Sequence, residues 1–327
     1  MSAATHHYGD GIHVVDSGCG GANLVAIHLI VEKGRVAIVD TAVNASGPLL
    51  LRELAHLGLS AEQVDYVILT HVHLDHAGGA GQLMAALPAA RLVVHPRGAR
   101  HMIDPSKLVA ATYDVYGREN AIRMYGEIQP IASERVIEAA EETVISLAGR
   151  ELLLFDSPGH ARHHICIRDS HTGHIFSGDT FGLYYRQLDS DGRQFIYPTT
   201  TPSQFDPDAL HRTVDMIAGF KPSALYVTHF GQIRDIPRLA ADMHRLIDAQ
   251  LEIAMREKDS GIGRCERIKA GLRQIVAMEA KMQGWGLQGD AACELLAMDI
   301  DLNAKGIEIW LDSQDARARV DAGKAIF

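Results

Sequence analysis

Short apolar runs bounded by turn residues alternate with helix-spaced leucines over the first two-thirds of the chain. Residues 24–31 (LVAIHLIV) and 35–40 (RVAIVD) read as a pair of strands joined through the turn Glu32–Gly34. Leucine spacing predicts a helix from Pro48 to Leu57, with Gly58 as its stop. Val64 to Thr70 reads as a buried strand, Gly79 to Leu87 as a helix ended by Pro88, and Arg91 to His95 as the next strand. Beyond position 143 the runs TVISLAG, RELLLFDSPG, HICIRD and HIFSGD are strand-like and closed by Gly, Pro or Asp. Pro207 to Phe220 reads as a helix that Ser203 or Asp206 could cap, and Ala224 to Thr228 as one more strand.

Two segments break this rhythm. Residues 97–142, which carry Tyr113, Tyr116, Met124 and Tyr125, read as a helical insertion between strands. Those side chains either wall an apolar substrate pocket or form helix core. Residues 235–300 are helical in period almost throughout, and the change of period near 232–236 comes without a flexible tether. The expected division is therefore a catalytic domain over 1–234 and a mainly helical region over 235–327. Mixed strands and helices of this kind fit a layered α/β domain with helices covering a central sheet core.

Composition changes the picture at three points. The formal charge of -10 disfavours a polyanion such as a nucleic acid. The apolar run Ala22 to Val31 is interrupted by Asn23 and His28 and falls well short of the roughly 20 residues that span a bilayer. The N-terminus also lacks a basic stretch leading into an apolar one, so no signal peptide is expected. The four cysteines, Cys19, Cys166, Cys265 and Cys293, form no C-x-x-C pair and read as free thiols. The expectation is a cytoplasmic protein with a small-molecule substrate and no nucleic-acid or membrane partner. A homodimer through the 97–142 insertion or the terminal helices stays open.

The chemistry concentrates in the string Thr70-His71-Val72-His73-Leu74-Asp75-His76-Ala77-Gly78-Gly79. It follows one predicted strand and precedes a helix, so it lies in a loop at a strand's carboxyl end. Imidazole and carboxylate suit zinc, iron or manganese. Four such groups in six residues are costly to bury without a cation. His160, Asp179 and His229 each follow an apolar strand in the same way, often beside a glycine. Ligands at several strand ends can converge on one sheet edge, where α/β folds place their sites.

The pattern H-x-H-x-D-H, then G-H, then G-D, then T-H resembles the metallo-β-lactamase superfamily, in particular its glyoxalase II-like branch, over about residues 12–231. Asp40-Thr41 looks like that family's early strand-end Asp, which supports the site loop. The resemblance implies a four-layer αββα sandwich, of the α/β (α+β) class, with a helical insertion and C-terminal helices. It also implies two divalent metal ions, zinc before iron or manganese. His71, His73 and His160 would hold one, Asp75, His76 and His229 the other, and Asp179 would bridge both. A hydroxide held by two dications would attack a carbonyl or phosphorus, with Asp75 as proton acceptor. The implied activity is hydrolysis of a small ester-like bond in a lactone, thioester or phosphoester.

Departures from the family pattern matter. The text Gly159-His160-Ala161-Arg162-His163-His164 has His163 where many members have glycine, and His164 matches a structural histidine. Tyr184 and Tyr185 follow Asp179 closely enough to offer a hydroxyl to substrate, as in lactonases of the superfamily, or to pack as ordinary aromatics. The terminal helices lack a basic motif that would carry over glutathione binding. Two other classes remain: a mononuclear-iron, persulfide-dioxygenase-like oxidoreductase, and a non-catalytic binding or signalling protein that keeps the site. A nuclease is disfavoured by the charge.

Overall fold

The computed structural model describes residues 5–139 and 141–324. The outer ends of the two expected ranges, 1–4 and 325–327, and Ala140 within the expected insertion, lie outside the described residues. Among the described residues thirteen strands form two sheets. The first runs in the order β1 (Thr5–Gly9), β2 (Ile12–Asp16), β3 (Ala26–Glu32), β4 (Arg35–Val39), β5 (Val64–Ile68), β6 (Arg91–Val94) and β7 (Val136–Glu138). Strands β1 to β4 pair antiparallel, and β4 to β7 parallel. The second sheet contains β8 (Thr143–Leu147), β9 (Arg150–Asp156), β10 (Ile165–Asp169), β11 (Ile175–Gly178), β12 (Leu225–Val227) and β13 (Gly231–Ile233). Their spatial order is β13-β12-β11-β10-β9-β8, with only β11 and β12 parallel.

Alternation along each strand builds the layers. Ile30 of β3 and Ala37 and Val39 of β4 pack with Leu152, Leu154, Ile165, Ile167 and Phe176 of the other sheet. The intervening Ile27, Leu29, Val36 and Ile38 pack on the opposite face. There they meet Leu50 and Leu54 of α1 (Gly47–His56), and Leu83 and Met84 of α3 (Ala80–Ala86), which follows the single turn α2 (Leu74–Ala77). Ala99 and Met102 of α4 (Pro96–Ile103) join the same cluster.

Residues 97–142 contain most of α4, then α5 (Ser106–Tyr116) and α6 (Arg118–Tyr125), and after a 3-10 turn the strand β7. Three residues are too few to show a period, so β7 is invisible in the sequence pattern. It pairs with β6 all the same. The later helices are α7 (Pro207–Gly219), α8 (Ile236–Glu257), α9 (Arg264–Gln283), α10 (Gly289–Leu295) and α11 (Ala297–Lys324). Asp206 caps α7 by accepting the Ala209 N–H at 3.0 Å. Among the described residues no helix is long and apolar enough to cross a membrane.

The chain divides into two compact units. The first comprises the chain up to Ser157, His163–Asp179 and Phe220–Ile236, and carries both sheets. The second comprises Pro158–Arg162, Thr180–Gly219 and the chain from Pro237. In the second unit, α9 packs on α10 and α11, and Arg245 of α8 grips Glu279 of α9 with two hydrogen bonds of 2.6 Å. Asn303 of α11 closes the loop at Thr200, accepting the Thr200 N–H at 2.8 Å.

Candidate metal centre

Parallel pairing puts the carboxyl ends of β4 and β5 side by side, and those of β11 and β12 likewise. Each of these four ends carries a polar residue just beyond the strand: Asp40, Thr70-His71, Asp179 and Thr228-His229. Asp40 sits in the left-handed region, with φ of 59°. Asp accepts that backbone more readily than most side chains, and here its carboxylate serves the purpose of tying neighbouring strand ends together.

That purpose is visible in its partners. The Asp40 carboxylate accepts the Thr70 N–H at 2.8 Å, the Thr70 hydroxyl at 2.9 Å and the Thr228 hydroxyl at 2.9 Å. It also pairs with His76 Nδ1 at 2.8 Å. With Nδ1 occupied, His76 presents Nε2 to the site. The Thr70 hydroxyl, its proton given to Asp40, lies 3.1 Å from His71 Nδ1 and orients that ring in turn. His229 Nδ1 faces the Leu24 carbonyl at 2.9 Å, which leaves its Nε2 directed inward. Asp16 shapes the loop that brings Leu24 there, by accepting the N–H groups of Gly18 and Asn23 at 3.0 Å each.

The inward atoms converge. His76 Nε2 lies 3.3 Å from Asp179 Oδ1 and 3.7 Å from Asp75 Oδ2. His229 Nε2 lies 3.5 Å from each of the same two oxygens. Donor atoms of His71, His76 and Asp179 all fall within 4.8 Å of one another, as do those of Asp75, His76 and His229. His73 begins α2, and its Nδ1 is 2.9 Å from His71 Nε2. His160 belongs to the second unit, where it is buried with Nδ1 3.4 Å from the Thr199 carbonyl.

Burial works against charge on His76, but Asp179, Asp75 and Asp40 outweigh it and hold the imidazole well above its ordinary value. His229 is likewise opposed by burial, and Asp179 and Asp75 push it up to about 9. Burial would raise Asp75, yet His76 and His229 hold its carboxyl far below the usual range. Two imidazoles and two carboxylates thus face one another in one cluster, and buried His76 Nε2 lies 3.3 Å from Asp179 Oδ1 without meeting hydrogen-bond geometry. A divalent cation fits this set, since it would take the inward Nε2 atoms and carboxylate oxygens at once.

Glycines admit the backbone to the centre. Gly178 has φ of 51°, and a Cβ there would lie 2.5 Å from His164 Nε2 and 2.8 Å from the Thr70 side chain. Gly79 has ordinary φ; its need is close approach, because a Cβ would meet the Val43 carbonyl oxygen at 2.9 Å. The tail after His76 is therefore not a left-handed turn but a seat for the neighbouring loop, whose Ala42 carbonyl accepts the Gly79 N–H at 2.8 Å.

His164 is structural: its Nδ1 contacts the Ser157 hydroxyl at 2.7 Å, and its Nε2 accepts the Asp179 N–H at 3.2 Å. His163 lies beside the Val72 N–H, and burial with His73 and two further histidines pushes it down to about 3, so it stays neutral. The Tyr184 hydroxyl donates to Asp189 at 2.6 Å and the Tyr185 hydroxyl to Asp299 at 3.0 Å, both in the second unit. Tyr125 is the tyrosine that senses the centre. Burial, then Asp75 and its neighbour Tyr116, push its hydroxyl well above the ordinary value. It lines a small hollow of about 10 Å³, mixed in polarity, with Leu74, Val109, Thr112, Tyr113 and Ile128. Pattern reading grouped Tyr125 with three other side chains and had no signal to single it out. Thr70 and Thr228 were legible only as strand ends.

A family model described as "Metallo-beta-lactamase superfamily" matches residues 20–229. The chain is 26% identical over 184 residues to the "Metallo-beta-lactamase fold-containing protein ST1585" of Sulfurisphaera tokodaii, covering 53% of this chain and 62% of that protein. It is 29% identical over 188 residues to a "Hydroxyacylglutathione hydrolase" of Xanthomonas campestris, covering 58% of this chain and 54% of that one. The chain thus spans between half and two-thirds of these relatives. Among solved structures, the metallo-beta-lactamase family protein TTHA1429 of Thermus thermophilus superposes with a TM-score of 0.65 at 20% identity, over 94% of both chains. That likeness shows a shared fold.

Proposed function

The chain belongs to the metallo-β-lactamase superfamily, and we propose that it is a metal-dependent hydrolase of a small, partly apolar ester-like substrate: a lactone, thioester or phosphoester. One observation carries the reading. Two donor sets overlap at His76, with the Asp179 carboxylate facing both His76 and His229. Divalent ions bound there would lower the pKa of water and polarise the scissile bond.

The chain's own residues do the rest. Asp40 fixes the ring of His76 directly and that of His71 through Thr70. Asp75 is the more exposed of the two facing carboxylates, and in this reading its Oδ2 takes the proton of the attacking water. The Tyr125 hydroxyl, kept protonated, donates to the substrate carbonyl as charge builds on it. The resemblance of half the chain to hydroxyacylglutathione hydrolases favours a thioester among the candidates.

The test is proton release by zinc- or manganese-loaded protein from a medium-chain acyl lactone, an acyl thioester and a phosphodiester, beside its His71→Ala and Asp75→Ala variants. Turnover of one class, lost in both variants, is the expected result. Two ions bound with no class hydrolysed would overturn the reading, and oxygen uptake with a single iron would replace it with the oxygenase.

A further inference from the structure

A second histidine cluster lies within the second unit, apart from the centre described above. His211 and Asp215 stand one turn apart on α7, and His244 and Asp248 one turn apart on α8. Spacing of i and i+4 puts each pair on one helix face. His244 Nε2 meets Asp215 at 2.9 Å, and His211 Nε2 meets Asp248 at 3.2 Å. Each imidazole therefore reaches across to the other helix's carboxylate.

These contacts decide the tautomers. A neutral imidazole that donates from Nε2 carries a bare lone pair on Nδ1. The two Nδ1 atoms face each other at 2.6 Å, from near-parallel rings with an 8° interplanar angle. Two lone pairs at that distance repel, so something positive belongs between them, either a shared proton or a metal cation. The flanking carboxylates give the four groups a net negative charge, which favours a dication. Carboxylates on the far nitrogens also reproduce the arrangement by which proteins orient and enrich metal-binding imidazoles. The histidine side chains are 26% and 29% exposed, so an ion can reach them.

We propose that His211 and His244 form a second, surface metal site for a borderline divalent cation such as zinc, which clips α7 to α8 and completes its coordination with water. With zinc–nitrogen bonds of 2.0–2.1 Å in tetrahedral geometry, the Nδ1 atoms would separate to about 3.3 Å. Ring centroids 4.9 Å apart set the two lone pairs head-on, so each ring would also turn by roughly 35° to meet the ion. An ion held only by the folded unit stabilises it by mass action.

Zinc titrated into the full chain, counted by elemental analysis and calorimetry, tests this. The wild type is expected to bind one ion more than the His211→Ala/His244→Ala variant, with circular dichroism and hydrolytic rate the same in both. Asp215→Asn and Asp248→Asn should each weaken that extra site about 10- to 100-fold and leave the protein folded. Equal zinc counts in wild type and double variant would overturn the proposal and leave a shared proton as the bridge. Loss of an ion together with hydrolysis would overturn it too, because the ion lost would then belong to the centre on the sheet edge. The count is read separately from turnover, so the site stands or falls independently of the hydrolase reading.

Discussion

Asp40 and His76 are both wholly buried, and the Asp40 carboxylate meets His76 Nδ1 at 2.8 Å from a backbone with φ of 59°. One strained residue thus aims one imidazole directly, another through Thr70, and ties in Thr228 from the second sheet. Asp40→Asn keeps a side chain that tolerates the left-handed backbone but removes the charge. The variant is expected to fold and to bind metal about 10- to 100-fold more weakly. Competition with a chromogenic chelator checks this; unchanged affinity would mean that Asp40 is only a packing residue.

Gly178→Ala should fail for steric reasons. The new Cβ would enter the space of His164 Nε2 and Thr70 at a backbone angle that alanine resists. We expect a loss of about 2 kcal/mol or more in unfolding free energy, with weaker metal binding because Asp179 is the next residue. Chemical denaturation reads the first effect and a metal assay the second.

Far from the centre, Arg150 holds Asp169 with two hydrogen bonds of 2.8 and 2.6 Å, and its other amino group donates to the Asp10 carbonyl at 2.6 Å. Arg150→Met would leave the Asp169 carboxylate buried without its cation. The expected cost is about 3–5 kcal/mol, seen in a denaturant melt. Hydrolysis per folded molecule should be unchanged, since neither residue touches the site.

The pH dependence separates metal-free from metal-loaded protein. His229 in the metal-free fold is raised from 6.5 to about 9 by Asp179 and Asp75 against the pull of burial. Its contribution to stability is therefore complete below pH 6.5 and is lost as pH rises to about 9. His76, also raised, adds to the same trend. Metal must displace these protons, so affinity should rise with pH over this window and binding should release protons. The metal-free protein is expected to melt lower at pH 9 than at pH 6.5, and the loaded protein to lack that decline. Calorimetry in buffers of differing ionisation enthalpy counts the protons.

Tyr125→Phe removes the hydroxyl together with its hydrogen bond to Tyr116. The expected result is a fall in kcat of roughly 10-fold or more with KM within a few-fold, as for loss of a donor used mainly in the transition state. A rise in KM alone would make Tyr125 a wall of the hollow.

Much of this centre is written in the sequence because the candidate ligands follow apolar strands. His71, His76, Asp179 and His229 stand one to eight residues beyond runs whose period announces a strand, and the same runs predicted β3 to β6 and β8 to β12 closely. What stayed hidden has physical reasons. β7 and β13 are three residues each and, unlike the equally short but wholly apolar β12, carry a polar residue (VIE and GQI), so no apolar run marks them. Tyr125 ends a helix whose period says only that it is a helix. Tyr184 and Tyr185 sit close to Asp179 in sequence, but their hydroxyls go to Asp189 and Asp299. Partners so distant as Asp299 are set by chain path, which periodicity does not encode.

The most direct measurement is hydrolytic rate against equivalents of bound zinc, made in the His211→Ala/His244→Ala background so that only the sheet-edge centre fills. The account predicts a rate that rises to a plateau at two ions per chain and is abolished by Asp75→Ala. Full rate at one ion, or two bound ions without hydrolysis of any ester, thioester or phosphoester, would contradict it.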